Sequence, residues 1–189
     1  MSLSLEFKDF YSAWMTKAKD HDHSLASAFD RFYTLYVVYN RLYAEATFVL
    51  ARNGGLNLSG RNTFPDSKAA TDYVVQFVGG QDIVASIEND LPARVALQRI
   101  VSGFGTFHVC LDMVTGEPLP EADENLRNRL ESANNATKAK AIAETVYKVR
   151  CNTFHGHKEF NEVQRELLEP ICVILEKLIE CVYGKLTLT

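Results

Sequence analysis

Nowhere in these 189 residues is there an uninterrupted apolar run of about 18, so a transmembrane helix is excluded. The opening stretch, Met1 to Asp9, contains acidic residues and no apolar signal core, so export by a signal peptide is not expected. None of the four cysteines, Cys110, Cys151, Cys172 and Cys181, belongs to a C-x-x-C pair, and their spacing fits neither a zinc site nor a small disulfide scaffold. They read as reduced thiols of a cytoplasmic protein, with Cys172 and Cys181 in the core. Strand-like alternation, internal repeats and low-complexity segments are missing too. So is a basic excess: Lys and Arg total 20 against 24 Asp and Glu, a net charge of −4. That balance argues against a strongly basic nucleic-acid binder and requires any contact with RNA to rest on a local patch of positive charge. Nothing in the sequence calls for a cofactor or a metal ion.

What the chain does have is helical periodicity. An apolar fraction of 47% is ample for one core, and the length suits a single domain over 1–189, with 1–23 as an N-terminal extension. Residues 4–19 read as a short first helix, broken by Asp20-His21-Asp22-His23-Ser24. The two histidines around Asp22 invite a metal reading, but a polar helix-start loop is the simpler one. Residues 24–52 read as a long helix ended by Gly54-Gly55, with Phe29, Phe32, Tyr36, Tyr39 and Tyr43 at 3–4 spacing and Val38, Leu42 and Val49 on another side. Such a helix is either internal or packed against a second subunit. A loop over 56–65 leads to a helix from Asp66 through Phe77, halted by Gly79-Gly80. One or two helices follow over 81–101, divided at Pro92. Residues 102–123 read as a short helix near Phe107–Val114 and then a surface loop. Further helices are expected over 124–133, 136–155 and 161–183, the last kinked near 166–170 by Pro170. The fold class is therefore all-α, a helical bundle with a long early helix and a kinked C-terminal one.

The chemistry concentrates in Arg150-Cys151-Asn152-Thr153-Phe154-His155-Gly156-His157-Lys158, at the end of the 136–155 helix. Arginine holds phosphate through a planar, permanently charged fork, and histidine moves protons near neutral pH. On a helical wheel Ile142, Val146 and Val149 share the core face, Arg150 lies on a flank, and Glu144 and His155 fall on the opposite side. Glu144 can pair with Lys148 four residues on. His157 and Lys158 are candidates for local RNA contacts, with a solvated surface role as the plainer alternative. Asn40 reads as a buried hydrogen-bonding residue that positions this helix. Tyr36, Tyr39 and Tyr43 read as packing residues rather than base-stacking ones.

The segment Arg150-Cys151-Asn152-Thr153-Phe154-His155-Gly156 resembles the R-x-x-x-x-H signature of the HEPN superfamily, in the form R-x-N-x-x-H-G. Asp30-Arg31-Phe32 through Tyr43 is similar to the early helix of several HEPN groups, and Arg165-Glu166-Leu167-Leu168-Glu169 fits the helix after the motif. Residues 55–130 match nothing in the resemblance. It implies a helical bundle that forms a homodimer with two motifs facing each other and, in active members, metal-independent RNA cleavage. Arg150, Asn152 and His155 would then be catalytic, and His157 and Lys158 would bind substrate. Such proteins act as toxins or defence effectors, so an antitoxin or another neighbouring-gene partner is expected. Two departures stand out. Cys151 follows the arginine where many active members have a polar residue, and His157 replaces a tyrosine that serves as a modification site in some toxins. A non-catalytic module that binds RNA, a nucleotide or a protein is the alternative.

Overall fold

The computed structural model describes residues 3–22, 24–57, 65–154 and 161–189. The chain is all-helical: among the described residues there are no strands, only two isolated bridges, Phe104 with Phe107 and Leu111 with Pro118. The helices are α1 (Leu5–Lys19), α2 (Leu25–Arg52), α3 (Asp66–Lys68), α4 (Val74–Val78), α5 (Gly80–Glu88), α6 (Leu91–Gly103), α7 (Pro120–Leu130), α8 (Asn135–Phe154) and α9 (Glu162–Thr187). A π-helical segment, Ala69–Tyr73, joins α3 to α4 without a break. Among the described residues no helix is long and apolar enough to cross a membrane.

Helices α2 and α9 form the spine and pack along each other. Ser24 caps α2, its hydroxyl accepting from Ser27 N–H at 3.2 Å, and Asn161 caps α9 by accepting from Gln164 N–H at 3.1 Å. The 3–4 spacing puts Phe29, Phe32, Tyr36, Tyr39 and Tyr43 in the interior, as their pattern predicts, and Val38, Leu42 and Val49 are buried as well. Opposite them Leu167, Leu168, Ile171, Ile174, Leu175, Leu178 and Val182 fill the apolar face of α9. Arg31 on α2 meets Glu176 on α9 at 2.9 Å. Pro170 is buried, and α9 passes through it as one element that ends four residues beyond the point the spacing predicts. The expected extension is part of this packing: Phe7 and Ala18 of α1 are buried, and Tyr11 stacks on Tyr183 of α9 with centroids 3.6 Å apart.

Two expectations fail here. Asn40 is exposed, not buried. At about 100° per residue it lies beyond Tyr36 on the side of Val37, outside the buried arc of α2. Residues 104–119 contain no helix; they form turns and bridges held by side chains from elsewhere. Asp123 of α7, 5% exposed, accepts from Val109 N–H at 3.1 Å and Cys110 N–H at 2.7 Å through one oxygen. Its other oxygen lies 2.9 Å from His108 Nδ1. Phe107 seats its ring against Gly103, where a Cβ would overlap it. These bonds satisfy the backbone in place of a helical ladder.

The π segment is a local change of phase with its own partners. The Tyr39 hydroxyl donates to Ala70 O at 2.6 Å, and Thr71 Oγ1 donates to Ser67 O at 2.7 Å, so hydroxyls reach carbonyls of this stretch. After α4 the chain turns at Gly79 (φ 105°). Gly80 then lies against the start of α8 so closely that a Cβ would sit 2.8 Å from Ala136 Cα. That backbone contact sets the position of α8, whose buried residues are mostly small: Ala139, Ala141, Ala143 and Thr145 beside Ile142, Val146 and Val149.

Candidate functional site at the end of the motif helix

Arg150 leaves the flank of α8 and lays its guanidinium against two aromatic rings. Its Cζ is 5.4 Å from the centroid of Tyr36 and 4.8 Å from that of Phe154. Phe154 is itself braced edge-on by Tyr33 of α2, with centroids 4.8 Å apart. The long early helix thus supplies the cradle for the arginine of the motif. Among the described residues no carboxylate pairs with Arg150; its one polar contact is a long one, 3.9 Å from a terminal nitrogen to Cys151 Sγ. Its Nε is buried without a hydrogen-bond partner among the described residues. So is the Tyr36 hydroxyl, in a residue 3% exposed: Tyr43's hydroxyl is its neighbour, but no hydrogen bond of sound geometry reaches it. Burial holds the Tyr36 phenol well above its ordinary pKa, partly offset by the Arg150 charge, so it stays protonated. Beyond Tyr36 the phenols are tied down: Tyr43 donates to one oxygen of Asp66, and Tyr147 to the other at 3.3 Å.

Asn152 points the other way. It is 2% exposed, and its Nδ2 donates to Val109 O at 2.8 Å. It fastens α8 to the 104–119 segment, which Asp123 fastens to α7. The structure therefore separates Arg150 and Asn152, as their roughly 200° offset on the wheel dictates. His155, His157 and Lys158 lie outside the described residues. Glu144 does not pair with Lys148: it meets Arg129 of α7 at 2.6 Å and Lys140 at 3.9 Å.

A cavity of about 510 Å³ opens beside Cys151 and Asn152. One wall is α3 and the π segment, with Ser67, Lys68 and Asp72; another is α8, with Lys140, Tyr147 and Lys148. Val109, Leu111 and Met113 of the irregular segment, with Arg129 of α7, complete it. Lys140 is held by Asp72 at 2.7 Å. Of the lining residues, Glu144, Lys148, Cys151 and Asn152 were singled out from the sequence, and the others were not. Part of the signal was there: Lys140, Glu144, Tyr147, Lys148 and Cys151 recur at 4–3–1–3 spacing, one face of α8. The contribution of α3 and the π segment had no local signal, because it arises from tertiary packing.

Comparisons with protein-family models, with curated proteins and with solved structures return no match.

Proposed function

We propose that this protein is a metal-independent endoribonuclease of the HEPN type, working as a homodimer with two motifs facing one another. The observation that carries the reading is Arg150: a guanidinium with no carboxylate partner among the described residues, held between Tyr36 and Phe154 at the end of the helix that leads into His155. A permanently charged fork that no carboxylate among the described residues pairs with directly suits an external phosphate. The patch beside it supports pairing of two copies, since Phe154 is 51% exposed and Val37 on α2 is exposed next to Tyr33.

In this mechanism His155 takes the proton of a ribose 2′-hydroxyl, or returns one to the leaving oxygen. The 2′-oxygen forms a bond to the adjacent phosphorus as the phosphorus–5′-oxygen bond breaks. Arg150 holds the non-bridging oxygens and stabilises their growing charge. The products carry a 2′,3′-cyclic phosphate and a 5′-hydroxyl, and DNA, lacking the 2′-hydroxyl, resists. Asn152 acts through position: its bond to Val109 fixes the last turns of α8. His157 and Lys158 add contacts to the strand.

The test is incubation of the purified protein with structured RNA and tRNA in EDTA, beside Arg150→Ala and His155→Ala, with the product ends mapped. Cyclic-phosphate ends from the wild type, with a loss of about 100-fold or more in each variant, support the reading. Cleavage that needs a divalent ion, or that persists in both variants, overturns it. A second reading, a HEPN module that binds without cutting, is favoured by one observation: the amide of the motif is spent on an internal hydrogen bond instead of facing a substrate. It predicts binding with intact RNA.

A further inference from the structure

We propose that the cavity beside Cys151 and Asn152 binds one nucleotide of single-stranded RNA, its phosphate on Lys68 and Lys148 and its base against Leu111 and Met113. The choice of RNA as ligand rests on the ribonuclease reading; the site itself does not depend on cleavage.

The argument starts from charge. The chain is acidic overall, at −4, yet this cavity gathers four cations against two carboxylates. Two of the cations are already used. Arg129 meets Glu144 at 2.6 Å, and Lys140 meets Asp72 at 2.7 Å and Glu144 at 3.9 Å. Lys68 and Lys148 have no such partner among the described residues. The excess positive charge of the cavity therefore sits on these two, one on each helical wall. An ammonium on each of two facing walls is an arrangement for an anion between them.

The third wall is of a different kind. Val109 and Leu111 are buried, and Met113 stands exposed at the rim. Val109 backs the wall from the interior, and the thioether of Met113 beside Leu111 is a soft, sequence-tolerant surface for the flat face of a base. Ser67 adds a hydroxyl on the polar side. The volume, about 510 Å³, lies within the range of small-ligand sites, roughly 300–1,000 Å³. A base reaches a concave surface of this kind only when it is unstacked, which selects a single strand over a duplex. The cavity adjoins the candidate cleavage site through the chain itself, since Cys151 lines it and Arg150 precedes Cys151. A nucleotide seated here is therefore a neighbour of the scissile phosphate. The frame is stiff on the α8 side, because Asn152 is bonded to the same segment that carries the apolar wall.

The experiment is equilibrium binding of a short, fluorescently labelled 2′-O-methyl RNA, which cannot be cut by 2′-hydroxyl attack, to the whole protein in EDTA over a range of salt. Lys68→Ala/Lys148→Ala is compared with the wild type and with Lys8→Ala/Lys19→Ala on α1, each first checked for a native circular dichroism spectrum. Loss of the one phosphate contact that the two lysines share flattens the plot of log affinity against log salt by about 0.7, the increment per phosphate for a single strand, while the α1 control keeps the wild-type slope. Met113→Ser weakens binding severalfold and leaves the slope alone. Wild-type affinity and slope in the Lys68/Lys148 variant overturn the proposal. So does equal affinity for a duplex of the same sequence, or binding of free adenosine monophosphate with none of the strand. Binding lost in the double variant, from a protein that leaves unmodified RNA intact, supports the cavity while removing the ribonuclease reading.

Discussion

Helices α8 and α9 are neighbours in sequence and in space, and they are held in opposite ways. Helix α9 buries Leu167, Leu168, Ile171, Ile174, Leu175 and Leu178, so its place is set by large side chains filling volume. Helix α8 buries Ala139, Ala141 and Ala143 and accepts the backbone of Gly80 against Ala136. Its end is fixed by one amide, Asn152, and by the seat that α2 gives Arg150. Burial of bulk gives α9 stability without directional demands. Close approach and single polar bonds give α8 a defined orientation, which is what a helix presenting a charged group needs. The difference teaches that the bundle's stability and its candidate chemistry are housed in different helices.

Three changes probe that comparison. Leu175→Ala strikes at the α9 mode, removing a fully buried side chain from the spine; stability falls by about 2–5 kcal/mol in urea unfolding. A loss below about 1 kcal/mol would show the α2–α9 interface to be less tightly filled than its burial indicates. Asn152→Ala strikes at the α8 mode. It strands the buried carbonyl of Val109, costs about 1–3 kcal/mol, and speeds amide hydrogen exchange in residues 107–111 more than in α9. Uniform exchange across the two regions would mean that they unfold as one unit and that the contrast is only geometric.

The smallest effect belongs to the polar edge of α9, where Lys177 meets Asp90 at 3.0 Å, the residue that caps α6. The Ala93 N–H, with Lys177 beside it, holds the Asp90 carboxyl below the usual carboxylate range. A depressed folded pKa gives stability that is complete above the unfolded value, about 3.9, and lost as pH falls through the folded one. Asp90→Asn keeps a capping side chain and removes the charge, so the variant is slightly less stable than wild type at about pH 7 and equal to it in strong acid. A gap that persists unchanged at about pH 2 would assign the effect to the cap geometry instead.

The helices were legible because their causes are local. Ser24 and Asn161 announce two starts, Gly54 and Gly79 two ends, and the aromatic spacing of α2 its buried side. Residues 104–119 misled because an apolar run, Phe107–Val114, looks like helix until Asp123 and Asn152 arrive from other elements to take its backbone groups. Asn40 misled because a polar residue among tyrosines suggests burial, whereas the wheel places it at the edge of the solvent arc. The π segment has no sequence sign at all; its Ala70 carbonyl is met by Tyr39, 31 residues earlier. Of the motif residues, Arg150 was legible as a flank residue of α8. Asn152 was not legible as internal, since its partner lies 43 residues away.

The aromatic seat of Arg150 has one more consequence. A guanidinium carries its charge at every pH the fold survives, and the faces of Tyr36 and Phe154 attract it without contributing a proton of their own in that range. The anion-holding half of the proposed chemistry is therefore deaf to acidity and responsive to ionic strength, while the proton-moving half, at His155, has the reverse sensitivity. The two halves can be dialled separately in solution, with no change to the sequence.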